Sequence, residues 1–465
     1  MDKIRKTKQD MDLLTGPIWN KMLKFAIPLA ATSILQQLFN AADVAVVGKF
    51  AGKTATAAVG SNAPLIGLLV NIFIGLALGA NVVIARFIGA KDEAQIRKGI
   101  HTAIVVGGVG GLILMLTGIL MTPYMLDLVK VPGNVKPLAN TYLRIFFLGM
   151  PFSVIYNFES AIFRSRGNTK TPLYCLTVSG IINVLLNLFL VAKLNMSVAG
   201  VATATTIAMA VSSGLLFMIL LREKGTYGIR FKELRVEKSI FVNIMKIGLP
   251  SGIQGMVFSL SNLVIQSAIN SLGADTMAAS AIAFYIDISI FFVLSAFSQA
   301  TTTFISQNYG AGKLKRCRDV AKVGITMNLF FTVTLSLLLL YFDKNILRVF
   351  TSDAAVLALA HTRLFILFTT QGLNCTNETM SAILRGLGNS FSPAVISLIF
   401  ICGTRILWVY TGFQHFKTFQ SLIFSYPISW GLSLVLLILI YARVRREKLL
   451  TNNDTGDRIA NIVNN

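Results

Sequence analysis

Twelve apolar stretches, each long enough to cross a lipid bilayer, take up most of this 465-residue chain, and they decide what it can fold into. They run near 22–47, 54–78, 98–122, 138–164, 172–192 and 197–221, then near 241–269, 276–304, 319–341, 355–385, 391–411 and 418–442. A spanning helix needs roughly 20 mostly apolar residues, because the hydrocarbon core offers no water to an open backbone. β-Barrel strands are excluded, since these stretches far exceed about ten residues and lack strict in–out alternation. With 54% of residues hydrophobic and 13% charged, no sizeable soluble domain is left over. The expected fold class is an all-α integral membrane protein with twelve transmembrane helices.

Lysine and arginine set the orientation. Of the 42, 31 fall in the tails and loops on the side of the termini, 8 fall in the opposite loops, and Arg144, Arg363 and Arg405 lie within spans. The positive-inside rule then places both termini in the cytoplasm. The net charge of +22 is explained by topology, so no nucleic-acid partner is expected: the basic residues lie between apolar runs and are not interleaved with aromatics on one surface. The start, MDKIRKTKQDMDLLTGP, has no apolar h-region or cleavage pattern and reads as a retained tail. Cys175, Cys317, Cys375 and Cys402 are scattered, form no CxxC pair and read as core residues.

The chain repeats itself at an offset of about 221 residues. KFAIPLAATSILQQLFN at 24–40 aligns with KIGLPSGIQGMVFSLSN at 246–262, matching Pro28 to Pro250 and Asn40 to Asn262. GAKDEAQIRKG at 89–99 aligns with GAGKLKRCRDV at 310–320, and SAIFRSRGNTKTP at 160–172 with SAILRGLGNSFSP at 381–393. Six spans per repeat is an even number, so both repeats insert the same way and an axis along the membrane normal relates them, with a site near the midplane. The expected organisation is an N-terminal tail at 1–21, an N-lobe at 22–221, a charged inter-lobe linker at 222–240, a C-lobe at 241–442 and a C-terminal tail at 443–465. The two pseudo-symmetric six-helix lobes would surround a central cleft.

Enzyme motifs are missing. In YGAGK at 309–313 the pattern G-x-x-x-x-G-K-[ST] fails, because Gln307 stands at the first glycine and Leu314 follows the lysine. GGVGG at 107–111 lacks the last glycine of GxGxxG and lies inside a span, where small residues let helices approach closely. His101, His361 and His415 show no HExxH or other ligand spacing, and there is no GxSxG elbow. Neither catalysis nor a bound cofactor is expected, and each histidine reads as structural.

Charges at depth carry the information, because a carboxylate inside a bilayer costs several kcal/mol unless paired, hydrated or protonated. Asp43, Glu159, Asp287 and Glu378 qualify. Glu159 and Glu378 lie within a turn or two of Arg164 and Arg385, which makes a local ion pair or a snorkelled contact the default for each. Asp43 falls in the outer half of span one, counted from Phe25 at about 1.5 Å per residue. Gln36 and Asn40 share its helical face, while Asn183 and Asn187 in span five and Thr205 in span six reach a similar depth. These groups suit an oxygen-rich cation site, a proton-cycling carboxylate, or polar contacts between helices. In AFYIDISIFF, Asp287 beside Tyr285, Phe284 and Phe291 suits either an organic cation or a buried partner from another helix. Asp287, Tyr285 and Glu378 are thus the substrate-cleft candidates.

Over nearly its whole length the chain resembles the multidrug and toxic compound extrusion (MATE) family of secondary transporters. The resemblance rests on LKFAIPLAATSILQQLFNAADVAVVGKFAG at 23–52, the GA-containing loop after span two, RSRGNTKTP after span four, NVLLNLFLVAKLNMSVAGVATAT at 183–205 and their second-half echoes. It implies two six-helix lobes around a V-shaped cleft that alternates its opening, exporting drugs or other amphiphilic, often cationic small molecules in exchange for inward H⁺ or Na⁺. It also implies a monomer among membrane lipids, multi-pass in a bacterial inner membrane. Asp43 matches the first-helix aspartate of the family's N-lobe cation or proton site, and Asn183 and Thr205 match other members of it. Asn187 stands where one branch has aspartate, which leaves one acid and keeps both H⁺ and Na⁺ open, the latter held by Asp43, Asn183, Asn187 and Thr205. Another branch has acids around Phe258 and Asn374; neither is present, and Glu378 lies one turn beyond Asn374. The resemblance therefore points to coupling through the N-lobe. The alternative within the superfamily is a flippase for a lipid-linked precursor, which would be expected to have a more cationic cavity than three in-span arginines provide.

Overall fold

The computed structural model describes residues 10–128 and 131–447; residues 1–9 and 448–465 of the two expected tails lie outside the described residues. Among these residues the chain is helical throughout, with no strand. In chain order the helices are α1 (Ile18–Phe50), α2 (Gly52–Ala90), α3 (Glu93–Leu128), α4 (Lys136–Leu148), α5 (Met150–Ser165), α6 (Lys170–Asn187) and α7 (Ser197–Arg222). The second repeat contributes α8 (Lys238–Asn270), α9 (Ala274–Gly310), α10 (Leu314–Tyr341), α11 (Asp343–Arg348), α12 (Ala354–Thr369), α13 (Gln371–Gly386), α14 (Phe391–Ile396), α15 (Thr404–Tyr410), α16 (Gly412–His415) and α17 (Phe419–Arg445).

Ten helical stretches are each long and apolar enough to cross a bilayer, and two bent pairs bring the number among the described residues to twelve. The pairs are α4 with α5, bent by 45°, and α12 with α13, bent by 48°. The first break falls at Gly149 just ahead of Pro151, whose ring cannot continue the backbone ladder. At the second, the Thr369 and Thr370 hydroxyls each donate back, to the Phe365 and Ile366 carbonyls at 2.6 Å, which loosens and bends the helix. Wider π-type turns follow α6 at Leu188–Lys193 and α14 at Ser397–Gly403.

The chain forms two compact units, and the division falls inside two helices. The first unit holds Ala31–Gly252, and the second holds Leu13–Ala30 and Ile253 onward. Each change of unit comes just after a helix-interior proline, Pro28 in α1 and Pro250 in α8.

In the first unit, α2 meets the start of α8 through glycines on both sides. A Cβ at Gly79 would stand 2.5 Å from the Ile244 carbonyl oxygen and 2.8 Å from the Gly248 nitrogen. One at Gly252 would stand 2.7 Å from the Ile72 carbonyl oxygen. Only glycine permits backbones this close, the packing that takes the place of a hydrophobic driving force in lipid.

The charged connection ahead of α8 is fastened to α3. The His101 Nδ1–H donates to the Arg97 carbonyl at 2.7 Å, and its Nε2 accepts from the Arg230 amide at 3.0 Å, which fixes a neutral ring. The Glu237 amide donates to Thr102 Oγ1 at 3.1 Å, and Arg97 pairs with Glu233 at 3.5 Å.

A second fastening holds residues 10–11. Arg166 Nη1 donates to both oxygens of Glu223, at 2.6 and 2.7 Å, and its Nε lies 3.3 Å from Asp10 Oδ1. Its guanidinium also lies over the Phe163 and Tyr227 rings, at 4.4 and 5.2 Å. Burial, chiefly, pushes the Tyr227 hydroxyl up to about 12. Gly167 turns under this knot at φ 89°, with the Met11 carbonyl where a side chain would have to go.

The second unit repeats the device: Asn308 Nδ2, Lys313 Nζ and Arg316 Nη2 donate to the carbonyls of Leu13, Leu14 and Thr15, at 3.2, 2.9 and 2.9 Å. Its core is packed by Ile290, Leu364, Leu367, Phe368, Leu422 and Ile423.

Two expectations follow. Gly79→Val should lower the apparent Tm of the purified protein by several degrees, overpacking of this kind costing about 1–3 kcal/mol. Gly214→Ala, in open space, should leave it unchanged. Arg166→Ala should cost about 3–5 kcal/mol by stranding buried carboxylates, and Arg166→Lys should recover little of it, because an ammonium cannot make the bidentate contact. Both pairs are read by size-exclusion thermostability.

Candidate functional site

Three helices of the first unit bring four polar side chains together. Asp43 sits seven residues before the end of α1 and is 6% exposed. Asn183 and Asn187 lie one turn apart on a single face of α6, and Thr205 lies in the third turn of α7. Asn187 Nδ2 donates to Asp43 Oδ1 at 2.5 Å, and Thr205 Oγ1 donates to Asp43 Oδ2 at 2.9 Å. Asn187 Nδ2 also donates to Asn183 Oδ1 at 3.2 Å, and Asn183 Nδ2 donates to Thr205 Oγ1 at 3.4 Å.

The result is a closed ring of hydrogen bonds with a direction. Both carboxylate oxygens of Asp43 receive a proton donor from the ring, an arrangement that suits the ionised acid. Asn187 Oδ1 is buried and has no hydrogen-bond partner among the described residues, so the ring keeps one unused acceptor beside its only charge. The π-type turn starts at the residue after Asn187, and such wide turns displace the side chains around them from regular helical register.

Chemically, the ring can exchange what it binds. If Asp43 takes a proton, one of its oxygens becomes a donor and one ring donor must turn away. A half-turn of the Asn187 amide supplies Oδ1 as the new acceptor. The same half-turn would present an oxygen to a small cation beside Asp43, together with Asn183 Oδ1 and Thr205 Oγ1. No group of three or more histidine, cysteine or acidic residues suited to a transition metal occurs among the described residues.

The other sequence candidates are placed differently. Gln36 and Asn40 are exposed on α1 and take no part in the ring. They share the face of Asp43 but lie roughly 10 and 4.5 Å before it along the axis at 1.5 Å per residue, while α6 and α7 close the ring at its own level. Tyr142 of α4 was not singled out from the sequence; it is 6% exposed and within electrostatic reach of Asp43. A tyrosine in the run TYLRIFFL carries no local signal of such a role. Glu159 does not pair with Arg164 as expected: it is fully buried and accepts from Ser213 Oγ at 3.2 Å. Glu378 does pair with Arg385, at 3.3 Å.

In the second unit, Asp287 is not grouped with Tyr285. The tyrosine is 59% exposed, edge-on to Phe284, because residues two apart on a helix point about 200° from each other. The charged neighbours of Asp287 are Arg363 and Arg405.

Two matching sets of membrane-length helices define a duplicated multi-span membrane protein. The MatE family model matches the chain twice, over residues 28–189 and 250–411, and the chain belongs to that family of multidrug efflux transporters. Among curated relatives it is 28% identical to the probable multidrug resistance protein YoeA of Bacillus subtilis, over 93% of this chain and 96% of that protein. It is 27% identical to the probable multidrug resistance protein NorM of Thermotoga maritima, over 86% of this chain and 87% of that protein. Among solved structures, the outward-facing conformation of a MATE family multidrug resistance transporter superposes with a TM-score of 0.87 at 21% identity, covering 96% of this chain and all of that one. A MOP superfamily transporter from Pyrococcus furiosus, described as having a binding pocket of reversed polarity, gives the same TM-score at 20% identity and the same coverage.

A double-mutant cycle tests the ring. Asn187→Ala and Thr205→Val each remove one donor to the same carboxylate, and groups that share a partner couple by about 0.5–3 kcal/mol. Equilibrium unfolding in detergent should give a coupling energy of at least about 1 kcal/mol. Strictly additive losses would mean that the two side chains do not share Asp43.

Proposed function

We propose that this protein exports small amphiphilic, often cationic compounds by antiport with H⁺ or Na⁺ through alternating access of its two lobes. The observation that carries the proposal is the ring around Asp43: one buried acid, donors on both of its oxygens, and a spare acceptor one amide rotation away. With the site open to the exterior, Asp43 takes up the coupling ion. The ring rearranges through Asn187, and the change reaches α1, whose Pro28 removes one backbone hydrogen bond and lowers the cost of bending there. The exported compound leaves, and reorientation delivers the ion to the opposite side.

The relatives support the substrate class, since curated proteins similar over more than four-fifths of the chain are described as multidrug resistance or multidrug export proteins. The excess of basic residues on the terminus side supports multi-pass insertion with both termini inside, and the membrane is proposed to be a bacterial inner membrane. It is proposed to work as a monomer.

The test uses everted vesicles carrying the wild type or Asp43→Asn, a fluorescent organic cation, and pH and Na⁺ gradients imposed separately. One gradient should drive uptake by the wild type, thereby naming the ion, and Asp43→Asn should lose that response while remaining folded in the membrane. Uptake by Asp43→Asn at the wild-type rate would overturn the role of Asp43. Indifference of the wild type to both gradients would overturn antiport.

A further inference from the structure

The second unit holds two buried arginines that no carboxylate among the described residues neutralises at contact distance. Arg405 of α15 is 2% exposed and Arg363 of α12 is 5% exposed. Asp287 of α9 is the acid in electrostatic reach of both, yet it makes no ion pair or hydrogen bond with either among the described residues. Two guanidinium ions against one detached carboxylate leave an excess positive charge inside a helix bundle. Such a charge is costly unless an anion meets it.

The two side chains are held as donors. Arg405 lies over the Tyr426 ring at 4.1 Å and near those of Trp430 and Phe258, both at 5.9 Å. Its Nε donates to Ser429 Oγ at 3.1 Å. Stacking occupies the face of the guanidinium, and its N–H groups beyond Nε have no hydrogen-bond partner among the described residues, which leaves the fork that fits an oxyanion. Arg363 is fixed by a hydrogen bond from Nη1 to Ser280 Oγ, while its Nε is buried with no hydrogen-bond partner. Measured along their own helices at 1.5 Å per residue, Arg363, Arg405 and Trp430 lie roughly 8–17 Å from the same end of this unit.

The internal repeat points to the same place. At the offset of 221 that aligns 160–172 with 381–393, Arg405 falls at Val184, the residue after Asn183 of the first repeat's ring. Where the first repeat builds a site around an acid, the second places a stacked arginine.

We infer that the second unit binds an oxyanion, a carboxylate or phosphate group carried beside an aromatic or apolar body, through the stacked guanidinium of Arg405, with the buried charge of Arg363 adding to the attraction. The rings of Tyr426, Trp430 and Phe258 provide the apolar wall. Asp287 acts as an internal competitor that keeps the arginines from holding the anion too tightly to release it. The inference goes beyond the antiport reading and does not depend on it, because it concerns binding by the second unit.

The test is equilibrium binding to the full-length protein in nanodiscs, read by Trp430 fluorescence in a Trp19→Phe, Trp408→Phe background. The probes are 2-naphthoate and the uncharged 2-naphthamide, which share the ring system and differ in the carboxylate. Naphthoate should bind at least tenfold more tightly than naphthamide. Arg405→Gln should erase that preference and Arg363→Gln should reduce it. Asp287→Asn, which removes the competitor without removing a donor, should tighten naphthoate severalfold and serves as the readout if an arginine variant fails to fold. Displacement of naphthoate by inorganic phosphate would identify the site as one for a free oxyanion. Resistance to phosphate would identify it as one for an anion-bearing amphiphile. Equal binding of the two naphthalene probes, or Asp287→Asn leaving naphthoate binding unchanged or weaker, would overturn the inference.

Discussion

A bilayer interior has no water to lend, and the rest of this structure follows from that lack. Every backbone amide at depth must be satisfied inside its own helix, so each membrane-length segment of the described chain is helical. Large apolar side chains such as Leu120, Leu407 and Leu439 can face outward, since lipid is as apolar as they are. Helices must then be joined by other means, through glycines at the meeting of α2 and α8 and through hydrogen-bonded polar groups in the interior. The same rule makes each buried charge conspicuous. Asp43 is accommodated because both of its oxygens receive donors, and Arg405 because aromatic faces lie against its cation.

The two repeats resolve the problem of buried charge in opposite ways. The first encloses an acid in amides and a hydroxyl, all neutral, so that the charge itself is free to be titrated or matched by a small cation. The second holds two permanent cations and offsets them only in part. A carrier built this way has chemically unlike halves despite their shared ancestry, and can in principle respond to two kinds of ion at once.

Much of this was legible in the sequence, for reasons that can be named. Span number follows from apolar length, and the repeat from Pro28 and Pro250 in matching contexts. Asp43, Asn183, Asn187 and Thr205 stood out because polar groups inside apolar runs are few and helical counting gives their depth. Counting along one helix does not say which other helix closes a site, so Gln36 and Asn40 looked equivalent to Asp43 and are not. Asp287 and Tyr285 fall on different faces for a simpler reason, because neighbours in sequence are not neighbours on a helix. Arg363 and Arg405 come from helices far from Asp287 in sequence, and no local pattern joins them. The bends at Gly149 and Thr370 were likewise hidden, because composition alone reads a bent span and a straight one alike.

The division of α1 and α8 between the units bears on how the protein is made. Leu13–Ala30 leaves the ribosome well before its partners, since it belongs to a unit whose remaining helices come more than two hundred residues later. Residues as far as Gly252 complete the first unit although they open the second repeat. Neither repeat contains all of one unit, so cutting the chain in its middle loop would yield two fragments that each lack a piece of what they should become. An ancestor with only six spans would have met the same difficulty and could have overcome it by exchanging first helices with a second copy of itself. The duplicated gene then reads as that exchange made permanent within one polypeptide.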